Sequence, residues 1–162
     1  MNKNHIKIVS PGEWMNTFPD ISLHDYISQI DNYFALPFSK QIDLRSYADK
    51  LGKNATIITD IQDGEIVGFA AAYLNKEHES YLSCLCISPD YRGQGRAARI
   101  LGYVKSMVLQ LHSPKITCRT NANDPIALKM YEKAGFTPSE ETISVKGHEK
   151  VILTWHNPET HP

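Results

Sequence analysis

Cysteine is scarce in this chain. Its three residues, Cys84, Cys86 and Cys118, cannot close a disulfide framework, and none stands in a Cys-x-x-Cys or Cys/His pattern with metal spacing. That excludes a disulfide-stapled scaffold and a metal module, and points to a reducing, cytoplasmic setting. Long apolar runs are missing as well: the longest, Ile66 to Leu74 with Gly68 inside it, is about half of a bilayer span. The start Met1-Asn2-Lys3-Asn4-His5 has no apolar signal core, so neither a membrane nor an export role is expected. Charge of one sign is lacking too. With 17 Lys and Arg against 18 Asp and Glu, a net −1, the chain is not a global polycation built for nucleic acid or a lipid surface. Linkers rich in Gly, Ser or Pro, and repeats of about 20–50 residues, are absent. What is there, 162 residues of which 41% are apolar and 22% charged, suits one globular domain over residues 1–156, with a polar tail at 157–162.

Periodicity supplies the elements. His5 to Ser10 reads as a first strand, and apolar residues at helical spacing mark Asp20 to Phe34 and Asp43 to Gly52 as two early helices. Ala55 to Ile61 and Glu65 to Leu74 are strand-like runs joined by a turn whose Asp63-Gly64 pair signals a hairpin. Ser80 to Ser88, apolar or small on both parities, belongs centrally in a sheet. Ile100, Val104, Met107 and Leu111 mark a helix over Gly95 to His112, stopped by Ser113-Pro114, and Lys115 to Thr120 follows as a strand. Asp124 as N-cap, Pro125 at the first helical position and Gly135 after the last turn bound the next helix. Thr142 to Trp155, broken at Lys146-Gly147-His148, closes the order β-α-α-β-β-β-α-β-α-β-β. This is a mixed α/β sheet, mostly antiparallel and flanked by helices.

The sharpest chemical signal lies between the central strand and the following helix: Arg92-Gly93-Gln94-Gly95-Arg96-Ala97. Small residues let the backbone approach a ligand, and a helix N-terminus offers unpaired N–H groups and a positive dipole end to an anion, so this is a phosphate-binding turn. From Tyr91 to Asn123 there are six Lys or Arg and no acid, leaving the rest of the chain at −7. A solvated helix face is the plain alternative for those charges. Gly93-x-Gly95-x-x-Ala98 also fits a dinucleotide fingerprint, but the acidic residue it needs about 20 positions on does not occur before Asp124.

With that loop the sequence resembles the GNAT superfamily of N-acetyltransferases, whose pyrophosphate loop reads Arg/Gln-x-x-Gly-x-Gly/Ala. A second match is Ala127-Leu128-Lys129-Met130-Tyr131-Glu132-Lys133-Ala134-Gly135-Phe136, similar to the family's Asn-x-x-Ala-x-x-x-Tyr-x-x-x-Gly-Phe signature. The resemblance runs from about Ala55 to Phe136. It implies acetyl-CoA as co-substrate, held by Arg92, Gly93, Gln94, Gly95, Arg96 and Ala97 and by the strand backbone at Leu85, Cys86 and Ile87. It also implies Tyr131 as proton donor to the CoA sulfur, a role suited to a phenol of ordinary pKa about 10. The family's Asn falls on Asp124, with Asn121 and Asn123 just before it, and any of the three can meet the pantetheine arm. On a helix Asn123, Ala127 and Tyr131 share one side, so Asn123 is counted with the cofactor residues.

Acyl transfer to an amine requires a neutral amine, donors for an oxyanion and an acid for the thiolate. Many family members carry a carboxylate on the strand before the loop; Tyr81 to Ser88 has none. Glu79, just before that strand, is the candidate base, acting through water. Cys84 and Cys86 share a strand parity and read as buried thiols, with a Cys-nucleophile route as the alternative. No metal is called for. The resemblance places the acceptor among Tyr26, Tyr33, Phe34 and the Pro37–Lys40 turn, with Glu140, Glu141 and His148 opposite. A small-molecule primary amine such as an amino sugar is the expected acceptor, and the protein a monomer or homodimer. The rival readings are a CoA-binding domain without transfer activity and a dinucleotide-binding module.

Overall fold

The computed structural model describes residues 3–160. Eight strands and five helices follow one another as β1 (Asn4–Val9), α1 (Trp14–Thr17), α2 (Leu23–Ile30), α3 (Leu44–Asn54), β2 (Thr56–Gln62), β3 (Glu65–Tyr73), β4 (Ser80–Ile87), α4 (Arg96–Leu111), β5 (Lys115–Asn121), α5 (Pro125–Lys133), β6 (Thr137–Pro138), β7 (Ile143–Val145) and β8 (His148–His156). The mixed, mostly antiparallel sheet with flanking helices is the expected class. Two compact units divide the chain, one of residues to Ala72 with Cys84–Ile100, the other of Tyr73–Ser83 with Leu101 onward. Among the described residues no helix is long and apolar enough to cross a membrane, and no group of three or more His, Cys, Asp or Glu is placed to hold a metal.

In the first unit the strands lie in the order β1-β2-β3-β4, antiparallel from β1 to β3. The β2–β3 hairpin turns on Asp63 (φ +51°) and Gly64 (φ +85°), as the Asp-Gly pair predicts, since a two-residue turn of this kind needs positive φ at both positions. Ser22 caps α2 by accepting from Asp25 N, and Asp43 caps α3 by accepting from Ser46 N. The first helix is shorter than its spacing predicted. Asp20 precedes the Ser22 cap, and past Ile30 the chain tightens into a 3₁₀ turn at Asp31–Tyr33, where buried Asp31 accepts from Ser39 N and Oγ. The four-residue α1 was not anticipated, because its signal is one tryptophan: Trp14 is buried against Phe18, Tyr26 and Phe69 and donates to the Ile21 carbonyl.

Gly68 sits where β2, β4 and α4 meet within this unit. A Cβ there would lie 2.9 Å from Ile100 Cδ1, 3.0 Å from Asp60 Cβ and 3.1 Å from Ile87 Cδ1. Overpacking of a filled core costs about 1–3 kcal/mol. Gly68→Val is therefore expected to shift the urea midpoint downward by that free energy while leaving m unchanged; a midpoint equal to the parent's would show the contact to be soft.

In the second unit the order is β4-β5-β8-β6, with β7 on β8. β4 and β5 run parallel over Ser80–Leu82 opposite Ile116–Cys118, while β5 and β8 pair antiparallel along their whole length. Lys146 (φ +50°) and Gly147 (φ +82°) make the turn between β7 and β8 at the interruption seen in the sequence. The two-residue β6 escaped periodicity, being too short to show any. Ser80, Ser113 and Asn157 form a buried polar knot: the two hydroxyls lie 2.8 Å apart, and Asn157 Nδ2 donates to the Ser113 carbonyl. Asn157, the first residue of the polar tail, is thus fully buried.

Candidate active site

The turn that leads into α4 is built from two left-handed glycines, Gly93 (φ +76°) and Gly95 (φ +79°), preceded by a 3₁₀ turn at Pro89–Tyr91. This φ region favours glycine, and a Cβ at either position would meet nothing within 4 Å, so the space above the turn is open. Among the described residues the backbone N–H groups of Gly93, Gln94, Gly95, Arg96 and Ala97 have no intramolecular acceptor. These donors and the α4 N-terminus form a cradle for an oxyanion.

The arginines beside it point elsewhere. Arg92 Nε donates to the Ile87 carbonyl at 3.0 Å and Nη2 to the Tyr33 carbonyl at 3.1 Å, tying the turn to the end of β4 and to the segment after α2. Arg96 pairs with Asp60 at 3.1 Å, donates to Gln62 Oε1 at 2.9 Å and lies over the Tyr91 ring. Arg99 is bonded to Asn4. These three arginines therefore brace the protein, and the turn offers main-chain donors to a ligand. Asp60 is a site residue that the sequence reading missed. Its side chain is fully buried and receives Arg96 and Asn4, and removing one partner of such a pair strands the other. A lone Asp within Ile57-Ile58-Thr59-Asp60-Ile61 was the available signal.

Leu85, Cys86 and Ile87 follow the part of β4 that pairs with β5, since that ladder ends at Leu82. Cys84 and Cys86 are buried, and a hydrogen bond with Cys86 together with burial holds the Cys84 thiol well above its usual pKa. A thiol held protonated is a poor nucleophile, which counts against a Cys route. Tyr26 belongs to the core: it is buried against Trp14 and Phe69, and burial raises its pKa. Phe34 meets Phe38 edge-on, with centroids 4.9 Å apart, and Phe38 stacks on Tyr47 at 4.8 Å.

In the second unit α5 carries Tyr131, buried at 7% exposure, with its ring 5.4 Å from Phe136. Tyr131 is hydrogen-bonded to Cys118 on β5; burial pushes that thiol up to about 12 and the tyrosine bond lowers it. The phenol thus already keeps company with a sulfur. At the head of α5, Asp124 Oδ1 accepts from Ala127 N and Asn121 Oδ1 from Asn123 N. Both side chains are engaged in holding the turn, whereas the exposed Asn123 side chain has no bond among the described residues. Glu79 is exposed and pairs with Lys115 at 3.7 Å. With Tyr81, Lys115, Thr117, Arg119, Ile152 and Thr154 it lines a groove of about 290 Å³.

Comparison with known proteins bears on the family and the fold. An acetyltransferase (GNAT) domain model matches residues 28–155. The fold is similar to the ribosomal-protein-S18-alanine N-acetyltransferase from Escherichia coli, with TM-score 0.70 and 18% identity over 95% of this chain and 94% of that one. It is also similar to Arabidopsis thaliana NAA60, solved with a bisubstrate analogue (TM-score 0.73, 14% identity, 95% and 98% covered). A GNAT acetyltransferase from Elizabethkingia anophelis with acetyl-CoA bound gives TM-score 0.65 and 16% identity over 94% and 97%. No curated protein matches in sequence. With the family model spanning most of the chain and the open glycine turn at the start of α4, this protein belongs to the GNAT family of N-acetyltransferases, enzymes that use acetyl-CoA as co-substrate.

Proposed function

We propose that the protein transfers an acetyl group from acetyl-CoA to a primary amine on a small molecule by direct attack of the amine on the thioester. The observation that carries this reading is the run of unpartnered N–H groups from Gly93 to Ala97 beneath open space. Charged hydrogen bonds contribute roughly 1.5–3 kcal/mol each, so three or four to a pyrophosphate would dominate cofactor affinity. The side chains of Arg92 and Arg96 hold the turn in shape, and the backbone N–H groups of Gly93, Gln94, Gly95, Arg96 and Ala97 meet the phosphates. Leu85 to Ile87 supply backbone groups to the acyl-pantetheine, and Asn123 rather than Asn121 or Asp124 meets the pantetheine arm.

In the reaction the amine nitrogen bonds to the thioester carbon, the carbon–sulfur bond breaks, and the sulfur takes a proton from Tyr131. Support for that role is the contact of Tyr131 with Cys118, a sulfur within hydrogen-bonding reach of the phenol on α5. The proton lost by the amine passes through water to Glu79, whose exposed carboxylate lies on the groove with Lys115 as its ion-pair partner.

A thermal-shift titration with acetyl-CoA, CoA, NADPH and ATP side by side tests the reading, because a ligand that binds the native state raises its melting point. Stabilisation by the two CoA species, and not by NADPH, is the expected result. No response to CoA, or a larger one to NADPH, would overturn acetyl transfer.

A further inference from the structure

The outward face of the second unit's sheet carries an ordered set of polar groups that cofactor binding does not use. Strand register places Tyr81 beside Thr117, Thr117 beside Thr154, and Thr154 beside Thr137, so four hydroxyl residues form one row across β4, β5, β8 and β6. Paired residues of neighbouring strands share a face. Opposite parity on β5 and β8 is core, with Ile116, Cys118 and Leu153 at 0–1% exposure, whereas on the groove face Thr117 keeps 8% and Arg119 is exposed. Arg119 and Lys115 stand on either side of Thr117 along β5, both facing the groove, with Ile152 opposite Arg119.

The charges are unequally satisfied. Lys115 has Glu79, whereas Arg119 has no carboxylate partner among the described residues and rests its guanidinium over the Tyr81 ring, 6.0 Å from the centroid. The Thr117 and Thr154 hydroxyls likewise have no hydrogen bond among the described residues. One unmatched cation beside a line of hydroxyl donors is the donor set of an oxyanion site, and the planar fork of Arg119 matches a carboxylate or phosphate.

We propose that this groove binds the oxyanion of a small molecule, a carboxylate or a phosphate monoester, through Arg119, Thr117 and Thr154. Tyr81 and Ile152 wall the groove beside it. With Glu79 at the same groove to receive a proton from an amine, the ligand is the acetyl acceptor, an amine that also carries an anionic group. Only this last step rests on the acetyl-transfer reading; the anion site stands without it.

Backbone NMR of the full chain without CoA separates the two. Inorganic phosphate and malonate are titrated in turn, and saturable shifts are expected at the Thr117, Arg119 and Thr154 amides, distinct from any at Gly93 and Gly95. Larger effects of malonate assign a carboxylate, and of phosphate a phosphate ester. Arg119→Gln is expected to weaken binding at the groove by about tenfold or more, as loss of a charged hydrogen bond implies. Thr154→Val, of nearly the same shape, is expected to weaken it severalfold. Groove amides that do not move with either anion, or that move equally in Arg119→Gln and the parent, would overturn the site. Either result leaves the CoA thermal shift unaffected, so failure here and failure of acetyl transfer are distinguishable.

Discussion

Gly95→Glu is expected to abolish binding of acetyl-CoA and CoA, lowering affinity by more than about 100-fold through the loss of two or more charged hydrogen bonds. The physical case has two parts. Gly95 lies at φ +79° with nothing within 4 Å of a Cβ, so the new side chain extends into the space over the turn without striking the core. Its carboxylate then occupies the oxyanion's place at the α4 N-terminus, satisfying the free N–H groups itself and repelling a phosphate. Backbone strain costs about 1–2 kcal/mol, so a folded protein with a modestly lower melting point is expected. Calorimetric titration with CoA reads the outcome. An affinity equal to the parent's would move the cofactor away from this turn. Gly95→Ala shares the strain and lacks the carboxylate, so it is expected to retain most of the affinity.

The second large effect is expected at Tyr131. Tyr131→Phe keeps the ring packed on Phe136 and removes only the hydroxyl bonded to Cys118. General acid catalysis contributes about 10²–10⁴-fold, so kcat should fall by about 100-fold while acetyl-CoA affinity stays near the parent's. Release of free CoA thiol with an amine identified by screening measures kcat, and calorimetry measures the affinity. Equal turnover in both forms would remove Tyr131 from the chemistry; a matching loss of affinity would make it a binding residue.

Local rules in the chain accounted for much of the architecture. The Asp63-Gly64 hairpin, the Asp124-Pro125 opening of α5 and the stop at Gly135 each depend on residues within a few positions of one another, as does the glycine turn at 93–95. The central place of β4 in the strand order was legible from apolar or small residues on both parities, although burial alternates along it, with Leu82, Cys84 and Cys86 buried and Tyr81, Ser83 and Leu85 half-buried. Short elements escaped: α1 and β6, of four and two residues, are shorter than the period that would announce them.

Tertiary structure alone decided what the charged and hydroxylated side chains do. Six basic residues in a row of 33 suggested cations gathered for a ligand, yet Arg96 turns to an aspartate 36 positions earlier and Arg92 to a carbonyl 59 positions earlier. A guanidinium takes the nearest acceptors in space, and chain order does not encode that distance. The groove shows the same limit. Tyr81, Thr117, Thr137 and Thr154 are unremarkable in sequence and become one row only through strand register, which is fixed by the burial of Ile116, Cys118 and Leu153 on the other face. The sequence by itself determined the turn that can cradle a pyrophosphate and the helix that carries Tyr131, since both are written in contiguous residues. Pairing of distant strands decided which cations were left free to meet a second anion.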